Sequence, residues 1–592
     1  MIDIRRTVLW VIFGFSLVLL WDKWQIHNGN KPLFAPGTAV TQTAAADVGS
    51  ASASASASAS GNSTPAGAHQ ASAAATAANN ANSNASSSAA TSLPRERIDI
   101  DTDVFKLTFD GEGGSLVKAD LSQFKDKAND QGLMDHLRSL ILPGSYPAPV
   151  EKLGFNLMDD TAQHYYVAQT GLIGAGLPDH KTVMRWVPGE RSLKAGENEL
   201  KVRFESPDMG GVKLVKTYTL KRGAYGISVE HDIINTGRDA VTPQLYVQLV
   251  RDGQKFSNDP AFTSSFNGAA VYTDDKKYQK SDFSDIKKAK ADFEKQANNG
   301  YVAMAQHYFA SAWWFPAGVA HENFMDAKDV GVKTPDCCYR VGMVTSLPAI
   351  APGSSQKTTA QLYVGPEEGK ALEALTPGLD LVKDYGRLTI LAKPLYWLLD
   401  QLHGYLGNWG WSIVALVVLL KIAFYWLNAK AYGSMAKMKA INPRIMEMRE
   451  RLKDKPQEMQ QEMMRIYREE KVNPMGGCLP IVIQIPVFIA LYTVLSSSVE
   501  MSNAPWIGWI TDLSAYDPYL ILPILMTASS LLQTWLNPTP PDPIQAKMMW
   551  IMPLAFSFMF FTFPAGLVLY WLTNNLLSIA QQWVINRRLG VA

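Results

Sequence analysis

The run Trp409 to Leu427, WGWSIVALVVLLKIAFYWL, constrains this chain more than any other stretch. It is long enough to span a bilayer as a helix, and it holds one lysine, Lys421. A charge at membrane depth costs roughly 2.5 to 3.5 kcal/mol on insertion-based scales, so such a residue normally faces a bundle interior or a watery cavity. Lys421 is therefore the leading functional candidate.

Five further apolar runs resemble the first, so the formal net charge of +1 averages a soluble part with a membrane part. At the start, Arg5 and Arg6 precede an apolar run from Val8 to Leu20, the charge order of a signal peptide or of a signal anchor with its N-terminus inside. Trp21, Asp22, Lys23 and Trp24 follow where a small-residue cleavage site would stand, which predicts a retained transmembrane helix over 1–24. Residues 25–94 are dominated by Ala, Ser, Asn, Thr and Gly, with the repeat SASASASASAS from Ser50. Such a stretch has too little apolar area to offset the entropy of ordering it, and it reads as a flexible tether.

Over 95–370 the period becomes two. LKVRFE from Leu200, KLVKTYTLK from Lys213, YGISVEHDI from Tyr225, LYVQLV from Leu245 and QLYVG from Gln361 alternate inward and outward side chains, with turns such as NTG at Asn235 and APG at Ala351. The pattern predicts a large antiparallel β-sandwich, placed outside the membrane by the N-in helix before it. His136, His164, His180, His231, His307 and His321 are scattered without an HExxH motif, and the glycines at Gly171, Gly174 and Gly176 lack the dinucleotide fingerprint. No chemistry is implied, although a sandwich that held a sugar or a peptide in a cleft would read the same way. Three cysteines, two of them the adjacent Cys337 and Cys338, imply neither a disulfide framework nor a zinc site. There is no Walker-type loop either, and none of these motifs calls for a cofactor or a metal.

Residues 371–406 turn helical and amphipathic, with Leu395, Leu398, Leu399 and Leu402 on one face and Tyr396 and Trp397 beside them. This segment fits a helix in the outer membrane interface, or a helix packed on the sandwich. Beyond the Trp409 run, 430–471 is strongly basic, so the positive-inside rule puts it in the cytoplasm. Asn442 and Pro443 read as a cap and a first-turn proline, and apolar spacing on both sides of Asp454 to Pro456 predicts a helical hairpin. Further spans are predicted at Pro474 to Val499, Tyr519 to Leu536, Met549 to Phe563 and Leu567 to Val584. The architecture is thus an α-helical polytopic membrane protein: six transmembrane helices, five of them in a core over 407–592, a large outer β-sandwich, and both termini inside.

Lys421 has no carboxylate within these spans to pair with. That leaves a hydrated pocket, backbone carbonyls, or snorkelling toward the cytoplasmic interface. The favoured arrangement is a polar groove open to the cytoplasm with Lys421 as its positive centre. Met446, Met448, Met459 and Met463 make the hairpin methionine-rich, which suits either a surface that accepts varied partners or the seam between its two helices.

GNWGWSI from Gly407, MAKMKAINPRI from Met435, EKVNPMGGCLPIVIQIPVFIALY from Glu470, DLSAYDPYLILPILM from Asp512 and FPAGLVLYWLTNNL from Phe563 carry a long and specific match. The chain resembles the YidC/Oxa/Alb family of membrane protein insertases, in its Gram-negative inner-membrane type with a periplasmic β domain. The resemblance implies an insertase that guides hydrophobic segments of nascent inner-membrane proteins laterally into lipid, alone or beside the Sec translocon. It implies partners among nascent membrane proteins, membrane lipid, and the ribosome and signal recognition components, with no direct nucleic-acid contact. By position it implies a client groove of Lys421, Tyr425, Gln484, Pro486, Tyr570, Trp571 and Asn574. Gram-negative members usually place arginine where Lys421 stands, and many have a second tyrosine where this chain has Trp571. The sequence ends at Ala592 without the long basic tail that some members use at the ribosome, so ribosome contact would rest on the basic hairpin. A secondary transporter or channel would also place a lysine at membrane depth, but such proteins commonly show an internal repeat, and none is visible here.

Overall fold

Side chains that alternate between core and water build the first half of the molecule. The computed structural model describes residues 95–126, 152–254, 266–328, 337–453, 455–470, 479–537 and 543–588. The helix expected over 1–24 and the tether over 25–94 lie outside the described residues.

Two antiparallel sheets of nine strands form the β domain. The first runs β1 (Arg97–Asp101), β2 (Phe105–Asp110), β3 (Ser115–Asp126), β4 (Lys152–Asp160), β5 (Tyr165–Ile173), β10 (Gln244–Arg251), β17 (Tyr339–Ser346), β16 (His321–Ala327), β13 (Gln296–Ala297). The second runs β12 (Lys277–Asp282), β11 (Gly268–Thr273), β14 (Tyr301–Gln306), β15 (Phe309–Trp314), β18 (Ser355–Pro366), β9 (Gly226–Asn235), β8 (Val212–Lys221), β7 (Glu199–Glu205), β6 (Arg185–Val187). One apolar core lies between them, with Phe109, Leu116 and Leu245 from the first sheet meeting Phe204, Val302 and Leu362 from the second. Each of the five alternating segments read from the sequence coincides with a strand, apart from Tyr225, which lies one residue before β9. β7 and β9 keep strict alternation of burial because each has one face in the core and one toward water. β14 and β15 show no alternation: all of their residues are buried. Their second face is covered by Leu372, Leu379 and Val382, from α2 (Gly369–Leu375) and the turn after it.

Polar side chains also cross the sandwich. Lys216 on β8 is fully buried, and its Nζ donates to the carbonyls of Gly113 (2.6 Å) and Thr170 (2.7 Å). Burial pushes this amine down to about 7. The neutral amine still carries two protons, one for each carbonyl, so both bonds survive deprotonation. His231 lies beside it, hydrogen-bonded to Thr170 Oγ1 at 3.0 Å and pushed down to about 3 by burial.

The chain then enters a helical half: α3 (Thr389–Leu406), α4 (Trp409–Ala423), α5 (Tyr425–Arg451), α6 (Pro456–Glu469), α7 (Leu479–Ser497), α8 (Ile521–Leu536), α9 (Pro543–Phe560) and α10 (Ala565–Arg588). α1 (Phe283–Lys287) belongs to the β domain. α3 ends where Gly407 takes φ +66° and its N–H reaches the His403 carbonyl, a left-handed cap that suits glycine. Ala392 and Leu399 are buried on one side of α3, while Ile390, Trp397 and Tyr405 are 63% or more exposed on the other. Among the described residues no single helix is both long and apolar enough to cross a membrane; α4 and α5 meet that test only together, bent by 68°.

A buried ion pair joins the two halves. Lys383 is 1% exposed, and its Nζ lies 2.9 Å from both carboxylate oxygens of Glu500, in the loop after α7. Tyr396 on α3 donates its hydroxyl to the same carboxylate at 2.6 Å, and the ammonium lies 4.2 Å from the Tyr396 ring centre. Glu367, at the end of β18, is buried nearby; burial holds its carboxyl well above the usual range and Lys383 opposes that shift. Val499, next to Glu500, belongs to the sandwich core.

Two outcomes test these interior charges. Removing one partner of a buried pair costs about 3 kcal/mol or more, so Lys383→Met should lower the unfolding temperature of the detergent-solubilised chain, and adding Glu500→Gln should recover most of the loss. Equal losses in single and double variants would show that the pair contributes nothing. For Lys216 the folded value near 7 lies below the unfolded 10.5, so the unfolded state binds more protons between them and stability must rise with pH across that window. Denaturation of the β domain followed from pH 7 to 10 should show the rise, and Lys216→Met should remove it.

Candidate functional site

Asn408 starts α4 by accepting the Trp411 N–H at its Oδ1 (3.1 Å), and its Nδ2 donates to the Pro505 and Trp506 carbonyls, which fixes the helix to the loop between α7 and α8. Lys421 lies in the last turn of α4, where the carbonyl end of a helix favours a cation. The single helix expected from Trp409 to Leu427 is not formed: α4 stops at Ala423, Phe424 takes ψ 8°, and α5 leaves at an angle. No proline or glycine marks the spot. Carbonyls exposed at such a break need other donors, and Gln581 on α10 supplies one, its Nε2 lying 3.3 Å from the Lys421 carbonyl.

The charge itself is held from the same helix. Lys421 Nζ donates to Ser578 Oγ at 2.7 Å, and Ser578 passes its own proton to the Asn574 carbonyl at 2.7 Å. Lys421 is 9% exposed, and among the described residues no carboxylate pairs with it. Asn574, Ser578 and Gln581 lie three or four residues apart, so they share one face of α10. Asn575 and Gln582 beside them reach α8, through Ser529 (3.2 Å), Ser530 (2.9 Å) and the Asn537 side chain (3.2 Å).

This stripe borders a cavity of about 40 Å³, room for roughly three waters. Lys421, Gln484, Tyr570 and Asn574 line it together, with Asn428 added by the bend and Val417 and Val487 as apolar walls. The other three candidates lie elsewhere. Tyr425 is 39% exposed at the start of α5, and Pro486 is exposed on α7. Trp571 is half-buried, edge-on to Phe488 at 4.6 Å and against Phe560 at 5.2 Å, where it joins α7, α9 and α10. Ser578 and Asn428 are missing from the sequence reading. Ser578 had a signal, since it follows Asn574 by one helical turn.

The hairpin differs from its expected form in one respect. Pro443 does not begin a helix; α5 runs through it to Arg451. Pro443 is exposed there, so water can take the carbonyl that loses its donor. Met448 is buried against Ile441, Ile445 and Ile466, Met459 and Met463 pack partly against that cluster, and Met446 is 51% exposed. Arg444 fastens the two helices through Glu469 (3.0 Å) and Glu470 (2.9 Å).

Residues 97–398 match the family model described as YidC periplasmic domain, and residues 401–591 match the one described as 60Kd inner membrane protein. The chain is thus of the class of inner-membrane proteins that carry a periplasmic β domain. It is 49% identical over 588 residues to the membrane protein insertase YidC of Cupriavidus metallidurans, covering 99% of this chain and 98% of that one. The insertases of Burkholderia cenocepacia (50% over 589 residues, 99% of both chains) and Ralstonia nicotianae (49% over 589 residues, 99% and 98%) are equally similar. The chain belongs to the YidC family of membrane protein insertases.

A hydrogen bond to a charged group contributes about 1.5–3 kcal/mol. Ser578→Ala should therefore lower stability in detergent by that order, and Ser578→Thr, which keeps the hydroxyl, should not. If alanine is neutral, water in the cavity replaces the hydroxyl and the bond is dispensable.

Proposed function

We propose that this insertase guides hydrophobic segments of nascent inner-membrane proteins into the bilayer along a hydrophilic groove centred on Lys421. The observation that carries the reading is a buried ammonium, held by one serine hydroxyl and facing a polar cavity, with no acidic partner of its own among the described residues. A carboxylate on a client's translocated segment would complete that missing pair. At an effective dielectric near 20 such a pair is worth about 4 kcal/mol at 4 Å, several times its worth in water. The client meets Asn428, Gln484 and Asn574 before it meets lipid, so its desolvation is divided into smaller steps. A lowered barrier needs no energy source.

In this reading the bundle spans the membrane through five helical passes of the core and a sixth at the N-terminus, with both termini cytoplasmic. α3 lies in the periplasmic interface, its exposed Ile390, Trp397 and Tyr405 toward lipid. The basic hairpin lies in the cytoplasm and meets arriving chains through Met446, with Met459 and Met463 at the edge of its seam; the ribosome and signal recognition components would deliver clients there, and the Sec translocon would share them. Tyr425, Pro486 and Trp571 form the outer path from the cavity to lipid. Lysine in place of arginine keeps the charge and gives up the two-pronged grip on a carboxylate.

Cells depleted of their own insertase and supplied with Lys421→Ala or Lys421→Glu should insert a short client with an acidic outer tail at least tenfold more slowly, and Lys421→Arg should sustain insertion. Normal insertion by all three would mean that the groove's shape and polarity act without its charge.

A further inference from the structure

The junction between the two halves holds more acid than base. Both carboxylate oxygens of Glu500 lie 2.9 Å from Lys383 Nζ, so that ammonium is taken. Lys280 on β12 reaches into the same region and is matched by Asp384 at 2.7 Å, and Asp380 lies 3.4 Å from Lys393. Glu367 is left over. It is 4% exposed, its Oε1 has no hydrogen-bond partner, and among the described residues no cation pairs with it. Its backbone N–H donates to the Tyr308 carbonyl at 2.8 Å, which ties it to the β14–β15 turn. That turn is itself a contact with the helical half, since the Tyr308 hydroxyl is hydrogen-bonded to Ser514 in the loop between α7 and α8. Glu367 thus stands between two points where the β domain meets the bundle, the Tyr308 turn and Lys383.

A carboxylate buried without a cation is costly, and a bound proton removes the cost. Burial raises the Glu367 carboxyl well above its usual range; Lys383 opposes the rise, Asp384 and Glu500 add to it, and Lys280 opposes it. Tyr278, Tyr301, Tyr363 and Tyr385 lie within reach of its charge, from β12, β14, β18 and the segment before α3, and burial keeps their hydroxyls neutral. Two further groups there can change charge. Glu368 is a half-buried neighbour whose carboxyl is raised by burial and by Glu500 and lowered by Lys383, and His307 stands in the β14–β15 turn. We propose that Glu367 is a proton-controlled latch between the β domain and the helical bundle: protonated, it lets the halves dock, and ionised, it competes with Glu500 for Lys383 and loosens the joint. Opening returns the carboxyl to water, where its ordinary value is 4.5. Between that value and the raised one the docked state binds more protons than the open state, so docking weakens as pH rises, by at most about tenfold per pH unit for one proton. Below 4.5 both states are protonated and the dependence stops. Lys216 acts in the opposite sense, adding stability to the sandwich as pH rises above 7.

Hydrogen exchange on the full-length chain in detergent, read by mass spectrometry from pH 5.5 to 7.5 and corrected for the intrinsic rate at each pH, tests the latch. The peptides that report are those over 365–368, 379–385 and 498–502. Their protection should fall at least tenfold across the range in the parent. In Glu367→Gln, which copies the shape of the protonated carboxyl, it should stay within twofold. Glu368→Gln and His307→Gln should still show the tenfold fall, which assigns it to Glu367. Peptides from β8 and β9 should hold their protection throughout, which separates a loosened joint from an unfolded domain. The proposal is overturned if the parent shows no fall, if Glu367→Gln falls as the parent does, if either of the other two variants abolishes the fall, or if β8 and β9 lose protection to the same extent.

Discussion

The polar face of α10 is the constraint on which the helical half depends. Asn574, Asn575, Ser578, Gln581 and Gln582 occupy one side of a helix that is otherwise apolar, and a bundle away from water must give each of them a partner. The structure does so by sharing them out: Ser578 and Gln581 go to α4, Asn575 to α8, and Gln582 to the residue after α8. The result is a single polar seam through the middle of the helices. Lys421 can be buried because that seam already exists, and the bend at Phe424 can persist because Gln581 attends to the carbonyl beside it.

The same constraint explains where the cavity falls. A straight helix through Leu427 would carry Asn428 onward along the axis of α4. The 68° turn brings it round to the cavity with Gln484 and Tyr570. Aromatic packing then closes the far side, since Trp571 is wedged between Phe488 and Phe560 and holds α7 and α9 against α10. The site is therefore a by-product of how the bundle satisfies its polar groups, lined by rigid elements on several sides. Rigid walls suit the groove proposed around Lys421, which would have to present charge without collapsing on it.

Much of this was legible in the sequence, and what was hidden was hidden for physical reasons. β7, β8 and β9 show their period because one face of each meets water, whereas β14 and β15 are covered on both faces and look like any apolar run. Lys421 could be picked out as a charge in an apolar stretch, and Gln484, Tyr570 and Asn574 by the family resemblance, and they do gather around one cavity. Their partner Ser578 was harder to see, because serine is common in helices and its role depends on a neighbour 157 residues away. The bend after Ala423 left no trace in composition, and the donor that serves the carbonyl beside it lies on α10. Asn442 and Pro443 gave the opposite error: a strong local signal for a helix start was overridden because an exposed proline costs little where water can reach the freed carbonyl.

The join between the two halves follows a different logic from the groove. There Lys383 and Glu500 are both ionised partners, locked by the Tyr396 hydroxyl and surrounded by groups that shed water. A pair of this kind seldom adds much net stability over an apolar contact of the same shape, but it is specific, because a wrong docking leaves two charges stranded. Lys383 belongs to the segment that leaves the sandwich, Tyr396 to α3, and Glu500 to the loop beyond α7, so three separate pieces of chain must arrive together before the charges are matched. Lys421 is the converse case: a cation whose acidic partner is missing from the described chain. The molecule thus uses a completed pair to fix the relation of its halves, and keeps its incomplete one at the centre of the bundle.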